Sequence, residues 1–284
     1  MISLISQLPI HGFNATIYPY KDGTYVGLIR ICNQHTVRGV YPEATNSFTS
    51  FTLDASLNVL QSSPLIDTSN RAIHKSWVTG PEDPRLIGEN SAIIVTCDTS
   101  PHWKPEISLL TFDISQSAIT SILPISIPDI ARRPQKNWLF VRQYDPVHSD
   151  FLYNSFPFVF VRVNFASQTA RILAQYDTPH NLVAHNGAIL PIHDGYLLTV
   201  RIKNGYNYHH SRWVRFDKDL VPRAMSEPFL FSQQFTNQPS ATYEMCMTLL
   251  QREEGVLAVV SVNDEHVFFY SIQLEQVFAS LSPI

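Results

Sequence analysis

Five times along the chain an apolar strand segment ends in a polar turn residue, at Asp54, Asp113, Asn164, Asp217 and Gln273. The spacings between these positions are 59, 51, 53 and 56 residues. A period of that size marks one supersecondary unit per repeat. Four-stranded propeller blades take ~40–50 residues each, and longer loops supply the difference. A second echo runs between Lys21-Asp22-Gly23-Thr24-Tyr25-Val26-Gly27-Leu28-Ile29-Arg30 and His193-Asp194-Gly195-Tyr196-Leu197-Leu198-Thr199-Val200-Arg201. Each reads as a turn leading into a strand that ends in arginine. The spacing predicts an all-β, five-bladed β-propeller as a single domain over residues 1–284. A β-sandwich with evenly spaced turns is the competing arrangement.

Strand patterns over 24–31, 91–97, 106–112, 138–142, 158–163, 195–202, 256–262 and 267–272 fit this reading, each bounded by Asp, Asn, Gly, Ser or Pro. Only 275–281 reads as a helical turn. Hydrophobic residues make up 44% of the chain, which is ample for a core. The 17 Phe, 12 Tyr and 4 Trp suit pleated, half-buried surfaces, and also the apolar faces of sugar rings. A net charge of −4 without a Lys/Arg run argues against a nucleic-acid partner. No apolar run reaches the ~18 residues of a membrane helix. Cys32, Cys97 and Cys246 match neither a zinc pattern nor a disulfide framework, so a reducing, cytoplasmic location is expected.

The most unusual segment is Gly80-Pro81-Glu82-Asp83-Pro84-Arg85-Leu86. Pro81 fixes its own φ, and Pro84 disfavours the helical region for Asp83, so an extended, stiff backbone is expected. Adjacent carboxylates on an extended chain point to opposite sides. One would face a shared pocket while the other pairs with Arg85 or holds the loop. A desolvated carboxyl there would have a raised pKa, as a general acid requires. The alternative is a charged turn closed by a local salt bridge.

Other polar residues complete the set. Arg30, Lys136, Arg201 and Arg212 are suited to an anionic donor or leaving group, since guanidinium forks match phosphate oxygens. Asn33, Asn46, Asn137 and Asn186 are suited to sugar hydroxyls, although Asn is also a turn residue. Trp138, Tyr153 and Tyr208 are candidate sugar platforms. His185 and His210 are candidate hydrogen-bond partners, and Glu244 and Asp264 are candidates for a second carboxylate. No metal or cofactor is expected. His209 and His210 face opposite ways on a strand, His180 and His185 lack a completing cluster, and Asp217-Lys218-Asp219 occupies a repeated turn.

The run Glu82-Asp83-Pro84-Arg85, inside a five-repeat β chain, resembles glycoside hydrolase family 130 and the related glycosyltransferase family 108. That resemblance implies a five-bladed propeller acting on mannosides with inversion, and it carries the catalytic acid to Asp83. Further landmarks in order are similar to uncharacterised, glycosyltransferase-designated members of that clan. They include Arg30-Ile31-Cys32-Asn33 followed by Tyr41, Lys136-Asn137-Trp138, Tyr208-His209-His210-Ser211-Arg212 and Tyr243-Glu244-Met245-Cys246. The Gly/Pro- and Trp-rich stretch of the phosphorylases is replaced by His185-Asn186-Gly187-Ala188-Ile189. The resemblance therefore implies glycosyl transfer first, with Asp83 as acid/base and Arg85 and Glu82 beside it. The partners would be a nucleotide sugar or sugar phosphate and a glycan acceptor. Phosphorolysis or hydrolysis of β-mannosides is the alternative within enzymes, and a non-catalytic glycan-binding propeller the alternative outside them.

Overall fold

A computed structural model describes residues 2–33, 44–74, 76, 78–99, 104–125, 136–155, 157–177, 184–204, 208–232 and 243–284. With 67% of the model in strands, the chain is all-β. It opens with β1 (Ile2–Gln7). Blade one follows as β2 (Phe13–Pro19), β3 (Tyr25–Cys32), β4 (Ala44–Leu53) and β5 (Val59–Pro64). After β6 (Ile66–Asp67) and β7 (Val78–Thr79), blade two comprises β8 (Pro81–Gly88), β9 (Ser91–Thr96), β10 (Glu106–Asp113) and β11 (Ala118–Pro124). Blade three is β12 (Leu139–Gln143), β13 (His148–Ser155), β14 (Phe158–Asn164) and β15 (Thr169–Tyr176). Blade four is β16 (Ala184–Ile192), β17 (Gly195–Asn204), β18 (Tyr208–Asp217) and β19 (Pro222–Ser226). Blade five takes β20 (Glu244–Arg252), β21 (Gly255–Val262) and β22 (His266–Ile272) from the C-terminal region, and its fourth strand is β1, with Ile2 opposite Ile272. The fold is a five-bladed β-propeller.

The five repeated turn residues all end or directly follow the third strand of a blade. In four blades the side chain caps a tight turn into the fourth strand. Asp54 accepts from the Asn58 amide at 2.8 Å, Asp113 from Ser115 at 2.8 Å, Asn164 from Ser167 at 3.0 Å and Asp217 from Asp219 at 2.9 Å. These are Asx-type turns, which explains the Asp and Asn. Asp217 is thereby accounted for as a turn residue. Gln273 differs because blade five draws its fourth strand from β1, so the chain leaves the sheet there. It enters α1 (Leu274–Ala279), shorter than the helical turn expected over 275–281. The chain then returns to extended form as β23 (Leu281–Pro283), which pairs with β19.

Contacts divide the chain into two compact units, residues 9–138 with 163–171, and residues 1–8 with 139–162 and 172–284. In the first, the core joins Val26, Leu28 and Phe48 to Ile94, Leu110 and Phe112. In the second, Leu152, Phe158 and Phe160 pack on Leu198, Val214 and Phe216. Burying each such side chain stabilises by roughly 1.5–3 kcal/mol. Both cores come from strand positions of one parity, as the alternating patterns require.

Candidate active site

In the first unit, Arg30 is the hub. It sits near the end of β3 with its guanidinium plane over the Phe13 ring, 4.9 Å to the centroid. Its Nε donates to Asn46 Oδ1 at 2.8 Å and its Nη1 to Asp83 Oδ1 at 2.8 Å, and its Nη2 lies 3.2 Å from Glu82 Oε2. Asn14 Nδ2 donates to the same Asp83 oxygen at 2.8 Å. Lys136 Nζ donates to Glu82 Oε2 at 3.4 Å, and Cys97 Sγ donates to Glu82 Oε1 at 3.6 Å. Asp83 is thus committed at Oδ1 alone. No described group donates to Oδ2, and the side chain keeps 10% of its surface exposed.

The backbone explains how two adjacent acids reach one arginine. Asp83 has φ 47°, in the left-handed region, and the β8–β9 pairing breaks register between Glu82 and Arg85. The extended conformation expected for Asp83 is therefore not adopted. The bulge cancels the strand alternation, and both carboxylates converge on Arg30 rather than on opposite sides. Left-handed φ at a non-glycine costs about 1–3 kcal/mol and persists only where the surroundings over-determine it. Here Arg30 and Asn14 do so. Arg85 is buried beyond the bulge and is not the partner that the sequence suggested.

Electrostatics follow from the same contacts. Burial pushes the Asp83 carboxyl up, but the charges of Arg30 and Lys136 and the hydrogen bonds from Asn14 and Arg30 outweigh it, holding it down to about 2. The raised pKa expected for Asp83 is thus reversed, and the resting group is a carboxylate. Burial lowers the pKa of Arg30, while Asp83 and Glu82 more than restore it. Lys136 behaves alike, burial being outweighed by Glu82 and Asp83. Burial, then the Glu82 charge, pushes the Cys97 thiol up to about 12, so it stays a donor.

Asn46 belongs to this cluster, and Asn137 is buried beside Lys136 in sequence with φ 58°. Asn33 does not join it, because its Oδ1 accepts from the Thr45 amide at 2.8 Å and closes the β3–β4 end. Trp138, a candidate sugar platform, is fully buried. Asn14 was missed by sequence reasoning. Its only local signal is the irregular pairing between Phe13 and Thr16 in β2.

In the second unit, Arg201 is 7% exposed, with its guanidinium carbon 4.7 Å from the Tyr243 ring centroid and Nη1 3.5 Å from Met245 Sδ. Among the described residues it has no ion-pair partner, and its Nε is buried without an acceptor. His185 is exposed and lies opposite Arg201 across the β16–β17 pair. Arg212 contacts Met225 Sδ at 3.6 Å, and its Nε is likewise buried without an acceptor. His210 is half-buried with Nδ1 in the same state. Asn186 accepts from Ser155 Oγ and donates to the Leu152 and Tyr153 carbonyls, so it braces the backbone rather than facing outward. Tyr153 is half-buried, and Asp264 is half-buried in the β21–β22 turn with φ 54°.

Glu244 is fully buried. Its Oε1 accepts from the Phe231 amide at 2.7 Å, and its Oε2 from the Ser232 amide and hydroxyl at 3.0 and 2.9 Å. Burial raises its pKa against those bonds. Both oxygens thus accept from the backbone at Phe231 and Ser232. The side chains of Tyr208 and His209 lie outside the described residues, as do Tyr41 and His180. No group of three or more metal-ligating residues comes together among the described residues.

One regularity connects the candidates within their own blades. Asn14, Glu82 with Asp83, Lys136, His185 with Asn186, and Glu244 stand at or just before the start of a first strand. Arg30, Tyr153 and Arg201 stand near the end of a second.

No protein family matches the sequence by its family model, and no curated protein matches it by sequence. Solved structures do match in fold. The β-1,2-mannobiose phosphorylase from Listeria innocua aligns with TM-score 0.66 at 11% identity, over 98% of this chain and 96% of that one. A glycosyl hydrolase from Bacteroides ovatus aligns with TM-score 0.69 at 14% identity, over 93% and 84%. An endo-arabinase from Bacteroides thetaiotaomicron aligns with TM-score 0.59 at 10% identity, over 95% and 97%. The likeness is one of architecture and spans nearly the whole chain.

Proposed function

We propose that this protein is an inverting glycoside phosphorylase acting on β-mannosides, with Asp83 as its acid/base. One observation carries the reading: Asp83 is a carboxylate with Oδ1 held and Oδ2 left for a substrate hydroxyl. A group with that pKa is ionised at neutral pH, so at rest it can accept from a substrate hydroxyl and has no proton to give. The resting site is therefore ready for the synthetic direction. The proton of an acceptor hydroxyl passes to Oδ2, the acceptor oxygen bonds to the anomeric carbon, and the bond to phosphate breaks with its electron pair. In reverse, phosphate attacks the anomeric carbon, and the protonated Asp83 returns its proton to the leaving oxygen, directly or through a sugar hydroxyl. In the other unit Arg201, buried without a described counter-charge, is by itself suited to an anion such as phosphate.

Hydrolysis is the weaker alternative. An inverting hydrolase needs a second carboxylate to activate water; Glu82 and Glu244 are both held by protein partners, which leaves Asp264 as the sequence candidate for that role. The transfer reading from sequence is absorbed, because sugar phosphate is a donor in the synthetic direction. The fold neighbours include a phosphorylase on a β-1,2-mannobiose.

The test is incubation with β-1,2-mannobiose with and without inorganic phosphate, and with α-mannose 1-phosphate plus mannose. Turnover is expected only with phosphate or sugar phosphate, and Asp83→Asn should lower it about 10²–10⁴-fold. Sugar release independent of phosphate, turnover only from nucleotide sugars, or full activity in the Asp83→Asn variant would each overturn the proposal.

A further inference from the structure

Asp98 follows β9, is fully buried, and is held by a bidentate fork. Arg71 Nη1 donates to its Oδ1 at 2.8 Å, and Arg71 Nη2 to its Oδ2 at 3.0 Å. The third contact is unusual. The Gly80 amide donates to Asp98 Oδ2 at 2.8 Å. Pro81 pairs with Thr96 and Glu82 with Val95, so at Gly80 a side-chain carboxylate replaces the next ladder acceptor.

That substitution lets the chain turn. Gly80 has φ +80°, and a Cβ there would lie 2.0 Å from the Asn46 carbonyl oxygen. Only glycine fits so close an approach with that φ. Asn46 is the residue that accepts from Arg30 Nε, and its Nδ2 reaches the Thr79 carbonyl at 3.4 Å. The strand is thus pinned at residue 80 from one side by Asp98 and from the other by Asn46. Two residues later Cys97, the neighbour of Asp98, donates to Glu82. Arg71 is tied in turn to Asp67 at 3.1 Å, which fixes the fork to the segment joining blades one and two.

We infer that Asp98, oriented by Arg71, is a positioning residue: it holds Gly80 so that Asp83 meets Arg30 and presents Oδ2 outward. The inference rests on the reading of Asp83 as acid/base, but its main readout does not. In Asp98→Asn the amide keeps the volume and loses the charge that grips Arg71. Carbon-13 carboxyl NMR of aspartate-labelled protein reports the Asp83 titration directly, assigned by its loss in Asp83→Asn. In Asp98→Asn that titration should move upward by at least about one pH unit, as the Arg30 contact loosens. If the enzyme is the proposed phosphorylase, kcat should fall about 10–100-fold with KM little changed, because a misplacement near 1 Å has that scale. Arg71→Lys, which keeps the charge and breaks the fork, should give a smaller shift of the same sign.

An unchanged Asp83 titration in folded Asp98→Asn would overturn the inference. Should that variant fail to fold, an unchanged titration in Arg71→Lys would do the same. A shifted titration in a protein without phosphorylase activity would uphold the positioning role and reject the proposed function instead.

Discussion

Arg30 and Arg201 come from matching stretches of sequence, each a turn with Asp-Gly followed by a second strand with arginine near its end. Their surroundings are opposite. Arg30 meets two carboxylates and an amide oxygen and lies over a phenylalanine. Arg201 meets a tyrosine ring and a thioether, with its Nε buried and no described carboxylate beside it. A buried cation without a counter-charge is costly. The difference teaches that the same position serves two purposes. At Arg30 the protein supplies the anions and uses the cation to aim them. At Arg201 the described surroundings supply a ring and a thioether and no anion.

The largest expected effect tests the first half of that contrast. Arg30→Met strands two carboxylates together, with Lys136 alone to balance them, and should cost about 3–5 kcal/mol in urea unfolding. A loss under about 1 kcal/mol would mean that the pair is decorative.

Next in size is the acid dependence. The folded pKa of Asp83 is depressed from 3.8 to about 2. Its stabilisation is therefore present in full above the unfolded value and lost as pH falls through the folded one. Stability should drop by roughly 2 kcal/mol between about pH 4 and pH 2 from this group. The drop should shrink in Asp83→Asn when unfolding is followed across that window.

A smaller effect comes from Asn46→Ala, which removes the acceptor at Arg30 Nε. About 1 kcal/mol of destabilisation is expected by thermal or urea unfolding.

The smallest is Arg201→Met without ligand. Stability should stay within about 1 kcal/mol of wild type, on either side, because no described ion pair is lost. Inorganic phosphate should raise the melting temperature of wild type and leave that of Arg201→Met unmoved. A large loss of stability in the variant, or an equal phosphate response, would erase the contrast with Arg30.

Much of the architecture was legible because turn chemistry is local. Asp54, Asp113, Asn164 and Asp217 cap the same turn through their own side chains, so their spacing reports the blade directly. The candidate site was legible only as a set of residue types. Which groups meet depends on backbone irregularities without a local signature. The bulge at Glu82–Arg85 and the φ of 47° at Asp83 redirect both acids to Arg30, against the alternation rule and against Pro84. Asn14 and Asp98 gain their roles from contacts 69 and 18 residues away. From sequence, Glu244 is a candidate second carboxylate. Two backbone amides claim it, and no composition argument could foresee them.

The pairing of β1 with β22 has a consequence for how this chain is made. Ile2 meets Ile272, so β1 waits for β22, about 270 residues further along the chain, before it has a neighbour in its sheet. Until then its N–H and C=O groups form an open edge, the kind of template on which β chains aggregate. Contacts that bridge so much sequence also slow folding. The outward positions of β1 are Ser3, Ile5 and Gln7, so two of the three side chains along that waiting edge are polar.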